Sequence, residues 1–212
     1  IVSEESKPWK FLTSNKYLNE NRIKLDKNLL VNYFRNKGYY KVKVKSSSAK
    51  VINEDKFVLI FNIDSGERYF FNDITLNVSD DYDEESFSDF KKVFDKLKGK
   101  PYSLNSIKKI INEIDKAALK KEFVFINAKY EENTTDDDKI NIDIYLEELE
   151  KQFVERVNIT GNFITEEKVI RNSLIVDEGD AYNKILFNKS INNIKSKGIF
   201  ESVDASIKDS EI

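Results

Sequence analysis

The sequence predicts an α+β protein built from three consecutive β-α-α-β-β units, each with two helices on one face of a three-stranded mixed sheet. Two observations support this prediction. The order helix, strand, turn, strand recurs along the chain at a period of roughly 75 to 85 residues. Within each repeat, the spacing of the hydrophobic residues changes from three and four, typical of a helix, to strict alternation, typical of a strand.

The middle unit shows the pattern most clearly. Tyr69 to Val78 predicts an opening strand, and Glu84 to Leu97 predicts a first helix. A second, amphipathic helix is predicted over Asn105 to Lys121, whose apolar face consists of Ile107, Ile110, Ile111, Ile114, Ala117 and Ala118. Phe123 to Glu131 and Lys139 to Leu149 then predict two strands joined by a polar turn.

The first unit contains the second half of the same pattern. A helix is predicted over Leu25 to Lys37, and Gly38 is suited to end it. Strands are predicted over Tyr39 to Lys45 and Lys56 to Asp64.

The third unit contains the first part of the pattern. Phe153 to Thr160 predicts its opening strand and Thr165 to Leu174 its first helix. A second helix contains Ile191 and Ile194 and ends at Gly198, and Phe200 to Lys208 predicts the strand that follows. The helical residues Phe34, Ala118 and Ile194 therefore occupy equivalent positions in the three units.

These elements place the units at residues 1–67, 68–150 and 151–212. The first unit lacks its opening strand and the third lacks its closing strand. We interpret both ends of the sequence as cuts in a longer protein. The joins between units are too short for flexible linkers and predict a semi-rigid arm.

The composition argues against several functions. The 35 basic and 38 acidic residues are mixed along the chain, and no basic stripe suits a phosphate backbone, so we expect no nucleic-acid partner. Histidine and cysteine are both absent, which removes the commonest general base and the commonest metal ligands. An enzyme with a carboxylate pair is the alternative from another class, but no phosphate loop or nucleophile motif accompanies the acids. We expect no enzymatic activity and no cofactor.

Two segments of the third unit resemble a POTRA domain, the repeat found in the arm of outer-membrane β-barrel assembly proteins. These are Val154 to Asn162 and, after two helices, Lys197 to Val203. Gly179 matches the family's glycine between the two helices, and Asp64 to Tyr69 resembles the junction between successive POTRA units. Because the segment from Lys7 to Leu25 is similar to the start of a third unit, the chain resembles units three to five of a five-unit arm. The middle unit has Glu122 where its neighbours have glycine, so its turn from helix to strand is expected to differ.

The resemblance implies a periplasmic polypeptide-binding arm at the outer membrane of a Gram-negative bacterium. Its implied partners are unfolded outer-membrane proteins and accessory assembly lipoproteins, and it reaches the membrane only through a C-terminal barrel that is absent from these residues. In this fold the strand after the second helix lies at a sheet edge, where an extended peptide can pair with it by β-augmentation. The candidate positions on these edges are Tyr40, Val42, Val44, Phe125, Asn127, Val203, Ala205 and Ile207.

Each candidate has a competing interpretation. Tyr40, Val42 and Val44 are expected to face the core, while Lys41, Lys43 and Lys45 point outward. These lysines favour a charged edge that prevents aggregation over one that guides a peptide. Glu178 matches an acidic position that the family uses to dock a lipoprotein, and Arg171 is expected to pair with it. Glu178 can also be a solvated loop carboxylate. At the level of the whole chain, the alternatives are the arm of a two-partner secretion or translocation-assembly pore and a purely architectural repeat spacer.

Overall fold

The computed structural model describes residues 20–53, 56–78, 82 and 84–209, so most of the segment from Lys7 to Leu25 lies outside the described residues. The helices are α1 (Glu20–Arg35), α2 (Asp89–Leu97), α3 (Leu104–Lys120), α4 (Glu167–Arg171) and α5 (Lys184–Ser196). The strands are β1 (Lys43–Asn53), β2 (Lys56–Asp64), β3 (Phe70–Asn77), β4 (Ile126–Thr134) and β5 (Lys139–Glu148). A short 3₁₀ helix, Glu84–Phe87, precedes α2.

The described residues divide into two compact units. The first comprises the described residues up to Asn112 together with Lys129–Tyr145, and the second comprises Glu113–Ala128 together with the described residues from Leu146 onward. The division into three repeats comes from the sequence pattern and stays a prediction.

A three-stranded mixed sheet, in the order β3-β5-β4, confirms the fold class predicted for the middle repeat. Strands β3 and β5 are parallel, so the chain must cross over between them, and α2 and α3 lie in this crossover. Strand β4 lies at one edge and β5 in the centre. The last strand of the repeat is thus the one that holds the other two together.

Periodic burial explains why these elements form. On α3 the buried side chains recur at helical spacing: Leu104, Ile107, Ile110, Ile114 and Ala118. On β5 they alternate without interruption: Ile140, Ile142, Ile144 and Leu146. Each element therefore has one apolar face removed from water, and burying such side chains contributes roughly 1.5–3 kcal/mol each. The polar face of the sheet is joined across strands, where Asp143 accepts hydrogen bonds from Thr75 at 2.8 Å and from Asn133 at 2.9 Å.

The second and third repeats each contain the same set of three backbone hydrogen bonds, made by the first residues of the opening segment. In the second repeat, Gly99 N–H donates to Phe71 O, Phe71 N–H donates to Lys100 O, and Tyr102 N–H donates to Tyr69 O. In the third repeat, Gly179 N–H donates to Val154 O, Val154 N–H donates to Asp180 O, and Tyr182 N–H donates to Gln152 O. This correspondence agrees with the offset of 83 residues between the two opening segments that the sequence pattern indicates.

The expectation for the turn after α3 was wrong. Glu122 adopts the left-handed conformation (φ 66°) that Gly38 also adopts (φ 101°). Glu122 N–H donates to Leu119 O, and Phe123 N–H donates to Ala118 O. In the first repeat, Gly38 N–H likewise donates to Arg35 O, and Tyr39 N–H donates to Phe34 O. Both turns are Schellman motifs. The middle repeat keeps the turn despite lacking glycine.

Several predicted strands differ from the described ones. The strand expected at Tyr39 to Lys45 begins only at Lys43 and extends to Asn53. Neither Phe153 to Thr160 nor Phe200 to Lys208 forms a strand within the described residues, apart from an isolated bridge between Phe153 and Ala181. The physical reason lies in the order of the sheet. In the sheet β3-β5-β4 the equivalent segments are outer strands that pair with the central one, and among the described residues no strand pairs with both Phe153 to Thr160 and Phe200 to Lys208.

Candidate functional site

Among the described residues, strand β4 pairs with β5 on one side and lies at the edge of the sheet on the other. Thr135 N–H donates to Lys139 O, and Leu149 N–H donates to Phe125 O, which are bonds at the two ends of the β4–β5 hairpin. Phe125 and Thr135 are ten residues apart on one side of the hairpin, and Lys139 and Leu149 are ten residues apart on the other. The two strands therefore keep one pairing register between these bonds. In an antiparallel ladder alternate residues bond to the neighbour. The backbone groups of odd-numbered β4 residues therefore face β5, and those of even-numbered residues face outward.

This register determines how the predicted residues of β4 can act. Phe125 lies just before the strand, and its carbonyl accepts the Leu149 amide. Asn127 lies within the strand with its backbone directed to β5. Its side-chain Oδ1 is shielded from solvent and has no hydrogen-bond partner among the residues that the structure describes. An incoming strand would meet the backbone of Ile126, Ala128 and Tyr130 instead.

One outward amide of this edge is already occupied. Ala128 N–H donates to Asp115 Oδ1 across 2.6 Å, and Asp115 lies in the middle of α3. Burial raises the pKa of the Asp115 carboxyl, and the hydrogen bond from Ala128 partly offsets this by lowering it. The carboxylate therefore caps a strand edge, a contact for which the sequence offered no periodic signal.

The first predicted edge is less regular. Val44 lies in β1, whereas Tyr40 and Val42 precede it; Val42 is buried, and Tyr40 and Val44 are half-buried. The lysines at 41, 43 and 45 are exposed, as predicted. The pairing of β1 with β2 shifts between Val44 and Ser46, so Lys45 is the extra residue of a bulge. Bulges and lysines both discourage pairing at an edge, so the start of β1 is less suited to it than Ser46 to Val51, where the pairing with β2 is regular.

The third predicted edge is not a strand. Val203, Ala205 and Ile207 lie in a described segment without regular pairing, and Ile207 is exposed. Each of the three predicted edges therefore belongs to a different segment of the chain.

Glu178 and Arg171 lie close together, as expected. Arg171 approaches Glu167 at 2.7 Å, Asp177 at 3.4 Å and Glu178 at 3.5 Å, so three carboxylates surround one guanidinium group. Hydrogen bonding to Glu167 is the main cause that raises the pKa of Arg171. Glu178 also accepts a hydrogen bond from Val157 N–H at 2.9 Å. Its side chain stays 45% exposed and keeps a surface that a partner could reach.

The sequence did not predict one polar cluster. Arg35, at the end of α1, donates to Tyr102 Oη and Glu132 Oε2, both at 2.6 Å, and Tyr102 donates to Glu132 Oε1 at 2.6 Å. The Arg35 guanidinium also lies 4.9 Å from the centre of the Tyr40 ring. The cluster thus joins the predicted first repeat to the second. Burial and the nearby Glu132 raise the pKa of Tyr102 far above its ordinary value.

Among the residues that the structure describes, no three acidic side chains come together as a candidate metal site. No helix in this part of the chain is long and apolar enough to cross a membrane.

Comparison with known proteins identifies the family of this chain. The POTRA family model, described as "Surface antigen variable number repeat", matches residues 9–66 and 152–212, which fall on the first and third predicted repeats. The outer membrane protein assembly factor BamA of Neorickettsia risticii is 23% identical over 203 residues, which cover 96% of this chain and 27% of that protein. BamA of Neisseria meningitidis serogroup B is 21% identical over 196 residues, which cover 92% of this chain and 24% of that protein. The chain thus spans about a quarter of the length of these curated relatives.

A solved structure shows the same fold. The crystal structure of POTRA domains 3–5 of Haemophilus influenzae BamA superposes with a TM-score of 0.64 at 15% identity, covering 86% of this chain and 72% of that one. Together with the repeated β-α-α-β-β pattern, the family match identifies the chain: it belongs to the POTRA family and is similar to the POTRA domains of BamA.

Proposed function

We propose that this chain is part of the periplasmic arm of an outer-membrane β-barrel assembly protein and that it binds unfolded outer-membrane proteins by β-augmentation. Strands β1 and β4 each lie at the edge of a sheet, and these two edges carry the proposal. An edge strand offers unpaired N–H and C=O groups at alternate residues, and an extended polypeptide can pair with them whatever its side chains are. Such pairing suits a protein that handles many different precursors. The similarity to BamA supports the choice of precursor.

Within this proposal the chain comprises three POTRA repeats at residues 1–67, 68–150 and 151–212. The arm lies on the periplasmic side of the outer membrane of a Gram-negative bacterium, and a barrel outside these residues reaches the membrane. No enzymatic step is needed, because binding and orientation of a precursor are the whole task.

Photo-cross-linking in the full-length protein tests the proposal. A photoreactive side chain at the exposed positions Lys43 or Lys129 should cross-link a radiolabelled outer-membrane protein precursor during assembly. The same side chain at Glu122, which is exposed but lies outside the strands, serves as the control. If neither Lys43 nor Lys129 cross-links above this control, the arm is an architectural spacer.

We further propose that the exposed face of Glu178 docks an accessory lipoprotein, with Arg171 holding the carboxylate in place. Glu178→Gln removes the charge but keeps an oxygen for the Val157 amide. This variant should reduce co-purification of the lipoprotein with the full-length protein, whereas Glu166→Gln, an exposed acidic neighbour, should not. Equal co-purification of the lipoprotein with the two variants would show that Glu178 does not dock it.

A further inference from the structure

The three repeats differ at the position of Asp115. Since Phe34, Ala118 and Ile194 are equivalent, the residues three positions earlier, Val31, Asp115 and Ile191, are equivalent too. Two of these side chains are apolar. The middle repeat therefore has a hydrogen-bond acceptor where the other two have a hydrocarbon side chain.

The Asp115 carboxylate is directed at the edge of β4. Its Oδ1 lies 2.6 Å from the Ala128 nitrogen, and Ala128 is an even-numbered residue whose amide faces away from β5. A hydrogen bond to a charged acceptor is stronger than one to a peptide carbonyl. An incoming strand that needs the Ala128 amide must therefore displace a better acceptor than the one it offers.

We propose that Asp115 determines which strand edge accepts a polypeptide, by closing the edge of β4 at Ala128 and thereby favouring the edge of β1. This inference rests on the proposed function, because it assumes that the chain binds extended polypeptide by β-augmentation. The closed position lies near the start of the nine-residue strand β4. A peptide aligned along the whole of β4 loses one backbone bond there and meets a half-buried negative charge.

The experiment uses the 212-residue chain and a synthetic, fluorescently labelled decapeptide of alternating valine and threonine. Fluorescence anisotropy gives the dissociation constant, and amide NMR signals identify the edge to which the peptide binds. Asp115→Val introduces the residue of the first repeat and should lower the dissociation constant at the edge of β4, followed by the amide signals of Ala128 and Tyr130, by roughly fivefold, about the net value of one backbone hydrogen bond. Asp115→Asn keeps an oxygen acceptor without the charge, so its dissociation constant at this edge should lie between those of the wild-type chain and Asp115→Val.

In the wild-type chain, the peptide should shift the amide signals of Ser47 and Ala49 in β1 at lower concentration than those of Ala128 and Tyr130. This measurement needs no variant, so the inference can be tested even if Asp115→Val does not fold. Shifts of Ala128 at the same peptide concentration as those of β1 overturn the role of Asp115 and leave peptide binding intact. If no strand signal shifts in the wild-type chain or in either variant, the proposed binding function itself fails.

Discussion

The side-chain oxygen of Asn36 lies 2.7 Å from the amide nitrogen of Asn105 and accepts its hydrogen bond. Asn105 is the second residue of α3, and its amide is one of the donors that a helix leaves unpaired at its start. Asn36 follows α1, so a residue of the predicted first repeat caps a helix of the second. Ser103 Oγ also lies within hydrogen-bond distance, at 3.4 Å from the same oxygen. The join between these repeats is thus built from specific polar contacts.

Replacement of Asn36 by alanine should lower the free energy of unfolding by roughly 1 kcal/mol, the usual cost of losing an N-cap side chain. Urea denaturation followed by circular dichroism measures it. Asn32→Ala is the matched control, since Asn32 is an exposed asparagine one turn earlier in α1. Equal losses in the two variants would show that Asn36 contributes no specific cap.

The buried ion pair between Arg35 and Glu132 should contribute more. Its side chains are only 22% and 15% exposed, and Glu132 also accepts the Tyr102 hydroxyl. Glu132→Ala leaves a largely buried guanidinium group without its carboxylate and should cost roughly 2–3 kcal/mol. Glu131→Ala, at the exposed neighbouring position, should change stability by less than about 0.5 kcal/mol. A small effect of Glu132→Ala in thermal and urea unfolding would mean that water replaces the pair.

Tyr102 should make stability fall at alkaline pH. Its pKa is raised by burial first and then by the hydrogen bond to Glu132, so the folded chain holds the phenol proton more tightly than the unfolded chain. The resulting stability is fully present below the unfolded pKa of about 10 and is lost as the pH rises through and above this value. Urea denaturation between pH 8 and 11 should therefore show a shallower decline for Tyr102→Phe. Parallel curves for the two proteins would contradict this assignment.

Elements with their own side-chain pattern were predictable from the sequence, and contacts between distant residues were not. Strand β2 begins and ends where predicted, and α3 is displaced by one residue, because alternation and helical spacing are local signals. Strand β1 continues into a run of serines without hydrophobic alternation, so its length was missed. The partners Arg35 and Glu132 are 97 residues apart, and no periodicity connects them. The Ala128–Asp115 contact likewise depends on how α3 lies beside β4.

Glycine at position 122 should stabilise the chain. Glu122 adopts a left-handed conformation (φ 66°), which costs a residue with a Cβ roughly 1 kcal/mol relative to glycine. Glu122→Gly should therefore raise the free energy of unfolding by up to about 1 kcal/mol. Lys121→Gly is the control, because Lys121 does not require a positive φ and glycine there only adds entropy to the unfolded chain. The two variants should differ in sign in urea denaturation.

Amide hydrogen exchange should distinguish the opening segments of the second and third repeats. Ile74 and Leu76 lie in β3, which pairs with β5, whereas their equivalents Val157 and Ile159 lie in a described segment without a strand. We expect the amide of Ile159 to exchange at least about tenfold faster than that of Leu76, because no pairing between strands has to break before the Ile159 amide meets solvent. Val157 should be slower than Ile159, since its amide donates to Glu178, and Glu178→Ala should remove this difference. Equal protection of Ile159 and Leu76 would show that another strand pairs with the segment that contains Ile159.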